Sequence, residues 1–477
     1  MIRINKMWLV IVAAVAMATG CKKWDDHNAI TDASLTKDLF QQISEDATLS
    51  MFKDLLVKTG YDKVLASSKT FTVFAPDNTA LASLDAGIIS DTAKLRKFVG
   101  NHIANQTYYT SAAVAKMRIL MLNGKYNDLL SKDIEGATII TADKGTKNGV
   151  LQIVDKMLPV LDNAWETMQN NASIPAAQKA YILAQFRKVF DNTTAVQVGV
   201  DPLTGNPIYQ QGTDSVTTNL FWRNVYDLRD ERKEFSFFIL TDDAWDMEVN
   251  KLKQYYATGT ADSTTNLSSW NVVKDLAVDT VYTAASLPDT IMSKFDVKVP
   301  LTKSNIVQTI KTSNGNIYIL SKADVQPKDK IHEMFIQGEN YRGTSDDRRG
   351  NTYFRDRYNP STGKDFKDVL VFNHGKALFT INYQLKAVPS MTYRAYWVAL
   401  NDFQTATFSQ KLAIGGNAVT TIAYKPVVAN VYDEVLIGEF TLNEYQSVLD
   451  INLVAANSGT AAVNPLVCDY IRLEPLF

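Results

Sequence analysis

Phe71-Thr72-Val73-Phe74-Ala75-Pro76-Asp77-Asn78-Thr79-Ala80-Leu81 is an apolar run that stops at a proline and restarts at a helix cap. The residues before Pro76 read as a strand, and Pro76, which has no N–H to donate, ends it. Asp77 or Asn78 can accept from the orphan N–H groups of a following helix. A second stretch, Asn148-Gly149-Val150-Leu151-Gln152-Ile153-Val154-Asp155-Lys156-Met157-Leu158-Pro159, reads as a turn on Gly149, a strand and another proline stop. Both patterns return. Phe238-Ile239-Leu240-Thr241-Asp242-Asp243-Ala244-Trp245 follows the first, with Leu240 in place of the proline. Asn314-Gly315-Asn316-Ile317-Tyr318-Ile319-Leu320-Ser321-Lys322 follows the second, with Ser321 in place of Asp155. Phe74 to Asn148 is 74 positions and Phe238 to Asn314 is 76. Near-equal spacing marks an internal repeat.

The two stretches resemble the signature boxes of the fasciclin domain. A helical stretch before the first box, Leu39–Leu56, fits that family, and His102 stands where the family has the His of a Tyr-His pair, with Asn101 replacing the Tyr. The resemblance predicts a fasciclin-like domain over 34–161 and a second over 162–328. The second carries an insertion at about 191–233, rich in Asn, Thr and Gly, which reads as a surface excursion. Fasciclin domains mix helices with a small β-sandwich, so the resemblance implies an α+β fold and a role in adhesion or extracellular binding.

The chain has 477 residues, more than the ~250–300 at which single cores stop growing, so two or three domains are expected. It is 46% hydrophobic and 21% charged, which excludes a disordered chain. A formal net charge of −2 argues against nucleic acid as a partner. Two cysteines cannot build a disulfide scaffold. Residues 1–20 read as a signal peptide: Arg3 and Lys6, then an apolar run from Trp8 that is too short to span a ~30 Å hydrocarbon core. Ala18-Thr19-Gly20-Cys21 resembles the lipobox of bacterial lipoproteins, although Ala18 replaces the usual larger aliphatic residue. That implies lipidation of Cys21, a tether over 21–33 and outer-membrane anchoring. A plain secretory signal with an incidental cysteine is the alternative. Lys22-Lys23-Trp24-Asp25-Asp26 resembles the acidic export signal of bacteroidete-type lipoproteins, which implies that the protein faces the cell exterior. Cys468, left without a partner, reads as a small hydrophobe in a strand.

After Pro327 the chain turns β-rich. Strand-like runs at Val369–Phe372, Ala377–Leu385, Tyr393–Leu400, Glu434–Phe440, Leu449–Val454 and Val467–Leu473 predict a C-terminal β-sandwich over 329–477. Ile336-Gln337-Gly338-Glu339-Asn340-Tyr341 and Cys468-Asp469-Tyr470-Ile471-Arg472-Leu473 resemble the first and last strands of galactose-binding-like jelly rolls. The resemblance implies glycan binding. It also makes Glu339 and Asp469 candidate ligands of a structural calcium, the cofactor the sequence allows for. Surface solvation of two acidic residues is the bland alternative.

Residues 341–358, YRGTSDDRRGNTYFRDRY, interleave five arginines with aromatic residues and three aspartates. Aromatic rings stack on sugar faces and Arg forks grip hydroxyls; mutual neutralisation of Arg and Asp is the simpler reading. Tyr341, Arg342, Tyr353 and Trp397 are the candidate ligand-binding residues. Tyr396 and Trp397 face opposite ways on a strand, so one of them belongs to the core. No G-x-S-x-G, P-loop, zincin helix or C-x-x-C occurs, and no catalytic residue is singled out. The expected function is non-catalytic binding of glycan or another polymeric nutrient at the cell surface. Bacteroidete-type lipoproteins of this architecture resemble accessories of a TonB-dependent transporter and its lidding lipoprotein. Cell–cell or host-matrix adhesion and a cell-surface hydrolase are the alternatives.

Overall fold

The computed structural model describes residues 33–415 and 420–477. The signal peptide, Cys21 and almost all of the tether lie outside the described residues. The chain divides into two compact units. The first holds the chain up to Thr167 together with Leu228–Glu234 and Lys311–Gly315; the second holds Met168–Asp227, Phe235–Ile310 and Asn316–Phe477.

In the first unit, Phe71–Pro76 pairs in parallel with Gly149–Val154, Phe71 opposite Gly149 and Pro76 opposite Val154. The two signature stretches are thus neighbouring strands of a seven-stranded sheet. Every residue of Phe71–Pro76 is buried. Val73 and Ala75 face a helical core with Leu39, Phe52, Leu56 and Phe98. Phe74 faces a second core with Ile119, Leu129 and Ile139. This is α+β packing with a strand enclosed on both faces.

The polar residues of the stretches act as clamps. Asp77 caps the next helix by accepting from the Ala80 N–H at 2.7 Å. Asn78 reaches the preceding helix instead, accepting from Met51 N–H and donating to the Ala47 carbonyl. Asn148 is buried; its Oδ1 accepts from Leu39 N–H at 2.9 Å and its Nδ2 donates to the Leu65 and Ser67 carbonyls. Gly149 sits at φ +154, where a Cβ would lie 2.0 Å from the Phe71 carbonyl oxygen. Asn314 repeats the arrangement, accepting from Ala164 N–H and donating to the Leu228 and Asp230 carbonyls.

A four-stranded sheet runs Ala277–Val278, Phe235–Leu240, Gly315–Leu320, Ile306–Thr312. Its order mirrors Ile103–Ala104, Phe71–Pro76, Gly149–Val154, Ala137–Thr146 in the first sheet. The expected excursion is a β-ribbon, and it begins before residue 191. Phe186–Phe190 pairs with Ser215–Asn219, and Gln197–Val200 pairs with Pro207–Tyr209 farther out. Leu203 at its tip is 95% exposed. The chain then returns to the body, where Phe221 and Leu228 are buried.

The C-terminal part is a β-sandwich. One sheet orders Met334–Gln337, Tyr470–Leu476, Thr392–Val398 and Val435–Thr441; another centres on Thr380–Val388, Gln446–Ala455 and Phe408–Ile414; a third pairs Thr352–Asn359, Lys364–Val371 and Leu466–Cys468. The run expected as one strand over 467–473 breaks at Asp469, where the chain passes from the third sheet to the first. Cys468 is a fully buried free thiol, and burial pushes its pKa well up.

Two outcomes follow from the clamps. Asn148→Ala leaves buried backbone groups unpaired and should cost about 2–4 kcal/mol in denaturant unfolding; a change below 1 kcal/mol would mean that water replaces the amide. His102 is fully buried, donates from Nδ1 to the Phe98 carbonyl and accepts at Nε2 from Leu158 N–H. Burial pushes its pKa down to about 4 from the ordinary 6.5. The unfolded chain therefore binds the proton first, and the stability His102 contributes is full above pH 6.5 and lost as pH falls through 4. The loss should be roughly 3 kcal/mol, and a Phe replacement at His102 should flatten that limb of the pH–stability curve.

Candidate functional site

On the outward face of the Thr380–Val388 and Gln446–Ala455 strands, polar side chains alternate with buried apolar ones. Asn382 lies opposite Asn452 and Gln384 opposite Asp450. Ile381, Tyr383, Ile451 and Leu453, of the opposite alternation, fill the core. Arg342 enters from the edge, donating to Gln384 Oε1, and Gln384 Nε2 donates to Asp450 Oδ1 at 3.0 Å. These groups line an open depression of about 370 Å³. The face presents a cation, amides and a carboxylate in a row, a set of donors and acceptors that suits a polyhydroxylated ligand.

A second depression, about 440 Å³, lies beside the Asn359–Lys364 turn and is lined by Phe366, Tyr432, Asp433, Glu434, Asp469 and Tyr470, among others. Burial, then the charges of Asp368 and Glu339, raise the Asp469 pKa to about 7. Glu339 Oε2 is buried without a hydrogen-bond partner among the described residues. An orphaned carboxylate oxygen that feels a second carboxylate is the arrangement a hard cation would relieve. Glu339 and Asp469 thus fit two of the six to eight oxygens calcium takes. No three His, Cys, Asp or Glu side chains among the described residues gather to hold a metal by themselves, so backbone carbonyls and water would supply the rest.

Of the four candidate residues, only Arg342 lines the groove. Tyr341 is half-buried against the core and stacks on Phe354, centroids 6.2 Å apart. Tyr353 is 47% exposed on the Thr352–Asn359 strand. Trp397 corrects the expectation: it is 1% exposed and sits in the sandwich core with Tyr393 and Ala395 of the same strand face. Tyr396 is the outward member, donating to Glu474 and lying under the Arg472 guanidinium at 4.1 Å. The arginine-rich segment resolves largely into ion pairs: Arg348 with Asp346, Arg349 with Asp347, Arg355 forked onto Asp368, and Arg357 with Asp402. Asn382, Gln384, Asp450 and Asn452 were legible only as polar positions at period two.

The enclosed strand pair, the Asn148 clamp and the buried His102 belong to one recognisable domain. Residues 47–160 form a fasciclin domain. A protein of Synechocystis called sll1483 is 28% identical to the chain over 157 residues, 31% of this chain and 86% of that one. The fasciclin domain pair of the insect cell adhesion molecule Fasciclin I aligns with 60% of this chain and all of its own at 16% identity and a TM-score of 0.24. The carbohydrate-binding module CBM6cm-2 of Cellvibrio mixtus lichenase 5A, solved with cellotriose, aligns with 31% of this chain and all of its own at 15% identity and a TM-score of 0.22. Within the fasciclin domain the signature residues are consumed by packing and capping.

Trp397→Ala should therefore behave as a core truncation, costing about 3–5 kcal/mol, while Tyr353→Ala should stay within about 0.5 kcal/mol. Chemical denaturation of the two variants side by side checks both.

Proposed function

We propose that this chain is a non-catalytic, lipid-anchored protein of the outer cell surface that captures glycan on its C-terminal sandwich. The observation that carries the reading is the Arg342–Gln384–Asp450 row with Asn382 and Asn452 beside it, a polar strip on an otherwise regular sheet face. A sugar presents many hydroxyls that each donate and accept, and such a strip meets them without reorganisation. Cys21 supplies the anchor and Asp25-Asp26 the export signal. The partners in this reading are a TonB-dependent transporter and its lidding lipoprotein, to which the chain delivers polymer. Calcium at Glu339 and Asp469 would hold the first and last strands of the sandwich together. The fasciclin domain favours a second reading, adhesion to another cell or to host matrix.

A glycan array probed with protein lacking residues 1–21 tests the binding. Against whichever glycan is captured, Arg342→Ala and Asp450→Ala should each lower affinity about tenfold or more, since hydrogen bonds to charged groups contribute about 1.5–3 kcal/mol, with melting unchanged. Binding indifferent to both variants would remove the groove from the argument. Cys21→Ser should move the protein out of the membrane fraction. Calcium should raise the melting temperature of the parent protein and leave that of Glu339→Gln with Asp469→Asn unmoved.

A further inference from the structure

The Ala261–Val273 helix ends at Lys274, one turn beyond Trp270. Residues four apart share a helix face, so both side chains point to the same side. There they meet the segment after the short Pro327–Lys330 helix, the end of the Thr380–Val388 strand, and Tyr445. Together these line a half-open pocket of about 370 Å³. All its lining residues belong to the second unit, and the walls are tied by backbone hydrogen bonds, Ser390 N–H to the Tyr255 carbonyl and Tyr445 N–H to the Ala257 carbonyl.

The charge in this cavity does not balance. Its ionisable walls include Lys274, Lys330, His332 and Lys386 against Glu333. Lys330 is spent on buried Asp275, whose other oxygen accepts from Ser293. Glu333 is spent on Arg472. Among the described residues no carboxylate forms an ion pair with Lys274 or Lys386. The Lys274 ammonium lies over the face of Phe295, at 5.1 Å, and feels the charge of neighbouring Asp275, which Lys330 already holds. Burial holds Lys274 below the usual lysine range, against the pull of Asp275. A largely buried ammonium whose nearest carboxylate is already paired with Lys330 has no ion pair of its own, and an anion in the pocket lowers the cost of that. The remaining walls combine three aromatic rings with aliphatic side chains such as Leu267, Ile331 and Met334. Trp270 is half-buried, and the rings of Tyr256 and Tyr445 lie 5.8 Å apart, their hydroxyls without a hydrogen-bond partner among the described residues.

We propose that this cavity binds one carboxylate-bearing sugar unit, a uronate, with its carboxylate between Lys274 and Lys386 and its ring against Trp270 and the tyrosines. Two lysines are single point charges on flexible stems and suit a monoanion better than the planar fork of arginine would. Aromatic faces and free phenol hydroxyls suit a ring that is apolar on its face and hydroxylated at its rim. The volume lies at the small end for ligand sites, room for one ring rather than a polymer. The site is separate from the Arg342 groove, and neither depends on the other.

Isothermal titration of the full chain at low ionic strength tests this, with glucuronate and galacturonate as probes and glucose, benzoate and sulfate as comparisons. One uronate should bind with a Kd of about 1 mM or tighter. Glucose lacks the charge, benzoate the hydroxyls and sulfate the ring, and each should bind at least about tenfold more weakly. Lys274→Gln should lower uronate affinity about tenfold or more, and Lys386→Gln, an exposed position that leaves folding untouched, several-fold. Arg342→Ala should leave uronate binding unchanged. Absence of uronate binding at millimolar concentration, or equal affinity in both lysine variants, overturns the proposal. Sulfate binding as tightly as uronate reduces the site to an anion hole and overturns the sugar.

Discussion

One buried carboxamide holds the fasciclin domain in register. Asn148 joins the first helix, through Leu39 N–H, to the loop that feeds the Phe71–Pro76 strand, through Leu65 and Ser67. Three elements distant in sequence meet at one side chain, and Gly149 beside it lets the two signature strands approach closely enough to pair in parallel. An amide in this position is worth keeping because each of its partners would otherwise be an unpaired buried group. Asn314 makes the same three connections with different partners. The recurrence of the bonding pattern, not merely of the letters Asn-Gly, ties the two halves of the repeat to a common geometry.

Much of this was legible in the chain because local chemistry dictated it. Pro76 ended its strand, Asp77 offered a cap, and the Asn-Gly pair marked a turn, whereas the second strand stops at Val154, short of the expected stop at Pro159. The parallel pairing of the two stretches was not legible, since the residues that meet are 78 positions apart, as Phe71 and Gly149 are, and no local pattern encodes partner choice. Asn78 likewise read as a cap when its amide in fact grips the preceding helix. In the sandwich the alternation along Thr392–Val398 identified one inward and one outward aromatic, and the neighbours Tyr393 and Ala395 could have told which was which. The break at Asp469 went unseen because an apolar run with one carboxylate reads as a continuous strand.

The candidate sites were less legible for a related reason. Density of Arg and aromatic residues along the chain drew the reading to residues 341–358, yet density in sequence mostly brought opposite charges within reach of one another, and they paired. The groove is assembled instead from every second residue of two strands some seventy positions apart. Lys274 and Lys386 stand more than a hundred residues apart and meet only because the Ala261–Val273 helix and the sandwich belong to the same unit. Sites built by tertiary convergence leave no motif.

The Phe186–Asn219 ribbon has a different meaning for the history of this architecture. Phe186 and Asn219 face each other as a non-hydrogen-bonded pair, flanked by the Leu220 N–H to Gln185 carbonyl bond, so their Cα atoms are about 4.5 Å apart. A chain that leaves and returns at such a pair can be shortened to a tight turn, or lengthened by whole hairpin steps, without moving anything beneath it. Length at this position is thus free to drift while the body stays constant, and related chains can differ by tens of residues here and still share one scaffold.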